Sequence, residues 1–119
     1  MGKISEFTEK DFEVIERDYA DLKEAARKRC ADQYELDQIQ KAFVFANEAR
    51  KGVRRRSGDP YILHPIAVAK IVVSNIGLGY KSIIAALLHD VVEDTDYTVD
   101  DLSNLFGEKV ATLVEGLTK

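Results

Sequence analysis

Apolar residues recur at spacings of three and four along nearly the whole chain. From Thr8 they fall at Phe12, Ile15, Tyr19, Leu22 and Ala26, lining one face of a helix. Leu36, Ile39, Phe43 and Ala46 set a second helix, polar on its outer face through Asp37, Gln38, Lys41 and Glu48. Pro65 suits the first position of a third, because its missing N–H would be unpaired there anyway. Ile66 to Ile76 is apolar on most sides, which predicts a central helix, broken by Gly77-Leu78-Gly79. Tyr80 to about Glu93 predicts a fourth, with Ile83 to Leu88 as the most buried segment. Leu102, Leu105 and Phe106 form a short helix that Gly107 stops. Val110, Leu113, Val114 and Leu117 resume the spacing. Thr8 with Asp11, and Thr98 with Asp101, have the pattern of N-terminal caps. The two isoleucine-rich runs could be buried strands on composition alone, but their length, their alanines and the helix-start proline favour helices. No alternating strand pattern or internal repeat occurs. The expected class is all-α, a bundle of about six helices.

Length and charge remove several functional classes. The 119 residues suit one domain. Cys30 is the single cysteine, so no internal disulfide can form and a reducing, cytoplasmic compartment is expected. It has no histidine nearby in sequence and reads as a packing residue or a bystander. MGKISEFTEKDF has no apolar core of signal-peptide type. The runs Ile62–Val73 and Ile83–Val92 fall short of the roughly 20 apolar residues a membrane span needs. With 17 Lys+Arg against 21 Asp+Glu the net charge is −4, which argues against coating nucleic acid. Neither a membrane nor a nucleic acid is an expected partner. A strand–loop–helix phosphate loop and a Gly-x-Ser-x-Gly elbow are both missing.

The chemistry concentrates around two histidines. His64 precedes Pro65, and His89 runs directly into Asp90, then Glu93 and Asp94. On a helix His89 and Glu93 are four apart, as are Asp90 and Asp94, so four ionisable groups gather over little more than one turn. Carboxylates at a helix C-terminus oppose the macrodipole and one another. Solvation is the ordinary answer, and a histidine after an apolar run is ordinarily a satisfied boundary residue. A metal is the sharper answer. Imidazole nitrogen and carboxylate oxygen suit Mn²⁺, Fe²⁺, Co²⁺ or Zn²⁺, with His64 reaching in from across the fold. Glu93 and Asp94 would then sit beside an attacking water.

A second constellation precedes His64. Arg50, Lys51, Arg54, Arg55 and Arg56 put five cations within seven residues of an otherwise acidic chain. Read blandly, they are a solvated face complementing the C-terminus of the second helix. Leading into Ser57-Gly58-Asp59-Pro60-Tyr61-Ile62-Leu63-His64, they look instead like a phosphate-binding wall beside a metal site.

Two stretches carry a family resemblance: Arg55-Arg56-Ser57-Gly58-Asp59-Pro60-Tyr61-Ile62-Leu63-His64-Pro65 and Leu88-His89-Asp90-Val91-Val92-Glu93-Asp94-Thr95. Together they resemble the N-terminal hydrolase domain of the RelA/SpoT homologue family, which makes and degrades (p)ppGpp. That domain is of the HD phosphohydrolase type, named for its paired His-Asp. The resemblance runs from about Leu36 to Lys119, with its core motifs in residues 50–95. It implies that His64, His89 and Asp90 are Mn²⁺ ligands and that Glu93 and Asp94 activate the attacking water. It further implies that Arg55 packs on the guanine base, with Arg56 and Ser57 near the phosphates. The implied reaction removes the 3′-pyrophosphate of (p)ppGpp, giving GDP or GTP plus pyrophosphate.

The chain departs from the family where His-x-Gly-Gln commonly precedes the basic run, since Arg50, Gly52 and Val53 hold those positions. A further aspartate ligand in the family lies beyond the position of Lys119. Residues 1–119 are therefore expected to be a fragment of a parent with a downstream synthetase domain. Surface left uncovered by absent helices would make such a fragment self-associate. A competing expectation is a regulatory helical module that restrains the synthetase domain. Another is an HD phosphohydrolase acting on other nucleotides.

Overall fold

The computed structural model describes residues 7–49, 53–56, 58–76 and 79–117, without the side chains of residues 75, 76, 93 and 94. Within them run α1 (Glu9–Arg27), α2 (Gln33–Ala49), α3 (Leu63–Ile71), α4 (Tyr80–Asp94), α5 (Val99–Phe106) and α6 (Glu108–Leu117). No strand occurs among the described residues, so the all-α expectation holds. No described helix is long and apolar enough to cross a membrane.

Both expected caps form as reciprocal pairs. The Asp11 amide donates to Thr8 Oγ1 at 3.2 Å while the Thr8 amide donates to Asp11 Oδ2 at 2.8 Å. At α5 the same exchange joins Thr98 and Asp101 at 2.9 and 3.1 Å. Each satisfies two donors that a helix start would leave unpaired. A further capping pattern escaped the sequence reading. Asp32 Oδ1 accepts from the Glu35 amide at 3.1 Å, and Glu35 Oε1 accepts from the Ala31 amide at 2.9 Å.

Two expectations for the third helix need correction. It starts at Leu63, so Pro65 is its third residue rather than its first. The cause is the preceding turn: the Leu63 and His64 amides donate to the carbonyls of Pro60 and Tyr61, at 3.2 and 2.9 Å, which begins the helix earlier. Nor is α3 the centre of the bundle. Ile71 is exposed, and from Val72 to Ile76 the helix widens into a π turn. Three successive β-branched residues, Ile71, Val72 and Val73, are crowded in an ordinary α-helical turn.

The centre is α4, which packs against α2, α3 and α6. All six residues from Ile83 to Leu88 are buried, as expected. They meet Ile39 of α2, Ile66 of α3 and Val110 and Val114 of α6 in one core. The α1 helix joins through Leu22 and through Tyr19, whose ring stacks on Phe43 at 3.9 Å. The Tyr19 hydroxyl donates to Gln40 Oε1 at 2.6 Å, and burial pushes its pKa up to about 12, so it stays a donor. Cys30 also packs against this core, and burial, then Glu35 and Asp32, raise its thiol pKa.

Gly107 closes α5 and passes directly into α6 with φ +100° and ψ 156°, a region that side chains strongly disfavour. A Cβ there would meet nothing within 4 Å, so the cost of adding one is purely conformational. Gly107→Ala is expected to lower stability by about 1–3 kcal/mol, measurable by urea unfolding. An unchanged midpoint would mean that the α5–α6 corner relaxes freely.

Candidate metal centre

The second residue of α3 and the tenth and eleventh of α4 build the candidate centre. His64 lies in the first turn of α3, and His89 and Asp90 lie in the last two turns of α4. Because α3 packs along α4, residues 25 or more positions apart meet. The His64 Nε2 to Asp90 Oδ2 distance is 3.6 Å, and His89 Nε2 lies 3.2 Å from Asp90 Oδ1. One ligand atom from each of the three residues falls within 4.8 Å of the others.

The donor set is one that could hold a cation. His89 Nδ1 lies 2.7 Å from the Ala86 carbonyl oxygen, an acceptor only, so Nδ1 carries the hydrogen. In the neutral ring Nε2 is then a bare lone pair, held by that bond toward Asp90. Asp90 is the buried charged residue among those described, and its Oδ2 has no hydrogen-bond partner. Such an arrangement of acceptors facing acceptors is unfavourable unless a cation lies between them. The three residues therefore fit a divalent metal of borderline hardness. Side-chain exposure rises from 9% for Asp90 through 13% for His89 to 37% for His64, so the centre opens to solvent at His64.

The preceding loop leads into His64 and touches it through Tyr61. Arg54 pairs with Pro60 in an isolated antiparallel bridge, flanked by bonds from the Tyr61 amide to Val53 O and from the Arg55 amide to Asp59 O, each 2.8 Å. The Gly58 amide donates to Arg55 O, closing a turn in which Gly58 has φ +94°. The Tyr61 ring then meets His64 edge-on, with centroids 6.0 Å apart.

The structure separates the expected basic wall into parts. Arg55 and Arg56 are exposed on the turn. Arg54 is instead bound to Asp11 at the start of α1, at 2.6 Å. Sequence reading missed this pair, because its members are 43 residues apart and no local pattern joins them. The expected contacts of Ser57, Arg50, Lys51 and Gly52 lie outside the described residues, as do the side chains of Glu93 and Asp94. The backbone of Glu93 and Asp94 completes α4, one turn beyond His89 and Asp90.

Comparison with known proteins agrees with this geometry. Residues 42–119 match the family model described as HD domain. Over 83 residues the chain is 48% identical to a guanosine-3′,5′-bis(diphosphate) 3′-pyrophosphohydrolase of Aquifex aeolicus, covering 70% of this chain and 12% of that protein. Over 85 residues it is 47% identical to the bifunctional (p)ppGpp synthase/hydrolase SpoT of Escherichia coli, covering 71% and 12%. Over 84 residues it is 50% identical to a probable GTP pyrophosphokinase of Mycobacterium leprae, covering 71% and 10%. The chain thus spans about a tenth of the length of these curated relatives.

Proposed function

Because the chain belongs to the HD-domain family, we propose that it is the metal-centre part of a Mn²⁺-dependent (p)ppGpp 3′-pyrophosphohydrolase whose parent also carries a synthetase domain. The observation that carries this reading is the buried Asp90 carboxylate, unpaired at Oδ2 and set between two imidazoles. In the proposal His64, His89 and Asp90 hold the metal, with a further ligand supplied by residues after Lys119. When bound, the ion supplies Lewis acidity toward a phosphoryl oxygen and makes water easier to deprotonate. Glu93 and Asp94 take the proton of the attacking water. Arg55 stacks on the guanine, and Arg56 and Ser57 offset the phosphate charge. The water oxygen bonds to the phosphorus attached to the 3′ oxygen, the bond between that phosphorus and the 3′ oxygen breaks, the 3′ oxygen gains a proton, and pyrophosphate leaves.

A cytoplasmic location belongs to the same proposal, supported by the lone Cys30 thiol. So does association of copies through the apolar groove lined by Val72, Ala85, Leu113 and Leu117.

Pyrophosphate release from ppGpp tests the reading, with and without Mn²⁺, in this chain and in one extended by its native downstream sequence. Mn²⁺-dependent release in the extended chain is expected, with GTP and dNTPs turned over poorly. Release from neither chain would overturn the hydrolase reading and favour the regulatory module. Equal turnover of dNTPs would favour a different nucleotide phosphohydrolase.

A further inference from the structure

We propose that α1 positions the substrate-facing loop: Asp11 holds Arg54, and Arg54 holds the turn that presents Arg55 and Arg56 on the loop leading into His64. The inference rests on the function proposed above in taking those two arginines as nucleotide contacts. It goes beyond it in giving Asp11 a role, since α1 lies outside the residues that match the HD family.

The geometry is that of a clasp. Arg54 donates through Nη2 to Asp11 Oδ2 at 2.6 Å and through Nη1 to the Gly58 carbonyl at 2.8 Å. Its guanidinium also lies 5.3 Å from the centroid of the Phe7 ring. A single side chain therefore ties the turn at Gly58 to the N-terminus of α1, while its own backbone pairs with Pro60 on the opposite arm. Exposed ion pairs contribute little, mainly because two long side chains must be ordered to form them. Here that ordering is already done. Asp11 is held by its cap exchange with Thr8, and Arg54 by Gly58 and the loop backbone. The hydrogen bond from Arg54, followed by that from the Thr8 backbone, lowers the Asp11 pKa to about 2, so the carboxylate is ionised throughout the physiological range.

The consequence for binding is entropic. Arg55 and Arg56 are exposed, and the described contacts leave their side chains facing solvent on the turn. A loop free to move would have to be ordered each time a nucleotide bound, which weakens affinity. A loop held by Asp11 presents both cations in place. Asp11 is thus a positioning residue that acts through Arg54, without touching substrate or metal.

Asp11→Asn isolates the charge, because Oδ2 accepts from both the Thr8 amide and Arg54, and asparagine can keep an oxygen there without the charge. Arg54→Gln removes the guanidinium and leaves the cap intact. Hydrogen exchange at the Gly58 and Tyr61 amides reports the loop, and titrations with ppGpp and with Mn²⁺ report the two ligands. Asp11→Asn is expected to speed exchange at both amides and to weaken ppGpp binding, each about tenfold. Mn²⁺ affinity should hold, and the thermal midpoint should fall by only a few degrees. Asp11→Glu, which keeps both the cap and the charge, should restore the loop and the affinity. A double variant with Arg54→Gln should bind ppGpp no more weakly than Arg54→Gln alone. Unchanged loop exchange in both Asp11→Asn and Arg54→Gln overturns the clasp, and so does a loss of Mn²⁺ affinity in step with ppGpp affinity. The titrations use the chain extended by its native downstream sequence. If that chain, otherwise unaltered, binds no ppGpp, the proposed function fails instead, and the exchange measurement alone decides the clasp.

Discussion

Asp90→Asn is expected to make the metal-free protein more stable and, under the function proposed above, to abolish hydrolysis by the extended, metal-loaded chain. The carboxylate is buried, one oxygen lacks a partner, and the other faces the His89 lone pair at 3.2 Å. Replacing one oxygen with an amide NH₂ turns an acceptor facing an acceptor into a donor facing one. It also removes a charge from a poorly solvated position. The gain should be about 1–2 kcal/mol in the absence of metal. Hydrolysis should fall by about a thousandfold or more, the loss of roughly 4 kcal/mol of transition-state stabilisation that a misplaced metal entails. Thermal unfolding with and without Mn²⁺ makes both effects visible. The midpoint of the unaltered protein should rise with Mn²⁺, because a ligand that binds only the folded state stabilises it. The Asn variant should start higher and not move. A variant that is destabilised without metal would show that Asp90 serves the fold rather than the site.

The second large effect is expected two positions earlier. Leu88 is fully buried in α4 and belongs to the core that joins this helix to its neighbours. Leu88→Ala removes that packing directly beside His89 and Asp90. It should cost about 3–4 kcal/mol, a large share of the roughly 5–15 kcal/mol that holds a domain together. The thermal midpoint should drop by about 10–20 °C. Leu105→Ala is the control, since Leu105 is 41% exposed and its truncation should cost less than about 1 kcal/mol. Similar losses for both would contradict the placement of α4 at the centre.

What could be read from the sequence follows from how local each determinant is. The caps at Thr8 and Thr98 involve partners three residues away, so residue type and spacing suffice. Burial of Ile83 to Leu88 was readable because a run apolar on all sides has no solvent face to offer. The start of α3 was misplaced because the carbonyls that satisfy its first amides come from Pro60 and Tyr61 in a turn, not from any capping side chain. Composition also made α3 seem as central as α4. Only packing distinguishes them, and it leaves Ile71 at the surface.

The candidate metal centre is legible in part for a chemical reason. His89 and Asp90 are adjacent, and an acidic helix end next to an apolar run calls for an explanation. The approach of His64 to Asp90 at 3.6 Å depends on α3 lying along α4, which spacing alone does not dictate. The basic run shows the opposite case. Its five cations look equivalent in sequence, yet Arg54 is committed to Asp11 on a distant helix while Arg55 and Arg56 stay exposed.

Manganese uptake followed by electron paramagnetic resonance tests the centre most directly, because it needs no substrate and no turnover. Mn²⁺ bound by this protein should show nitrogen hyperfine couplings from two imidazoles, one of which disappears in His64→Ala. Asp90→Asn should leave the ion largely free. Bound Mn²⁺ without nitrogen coupling, or equal uptake by Asp90→Asn, would contradict the assignment of His64, His89 and Asp90 as a metal site.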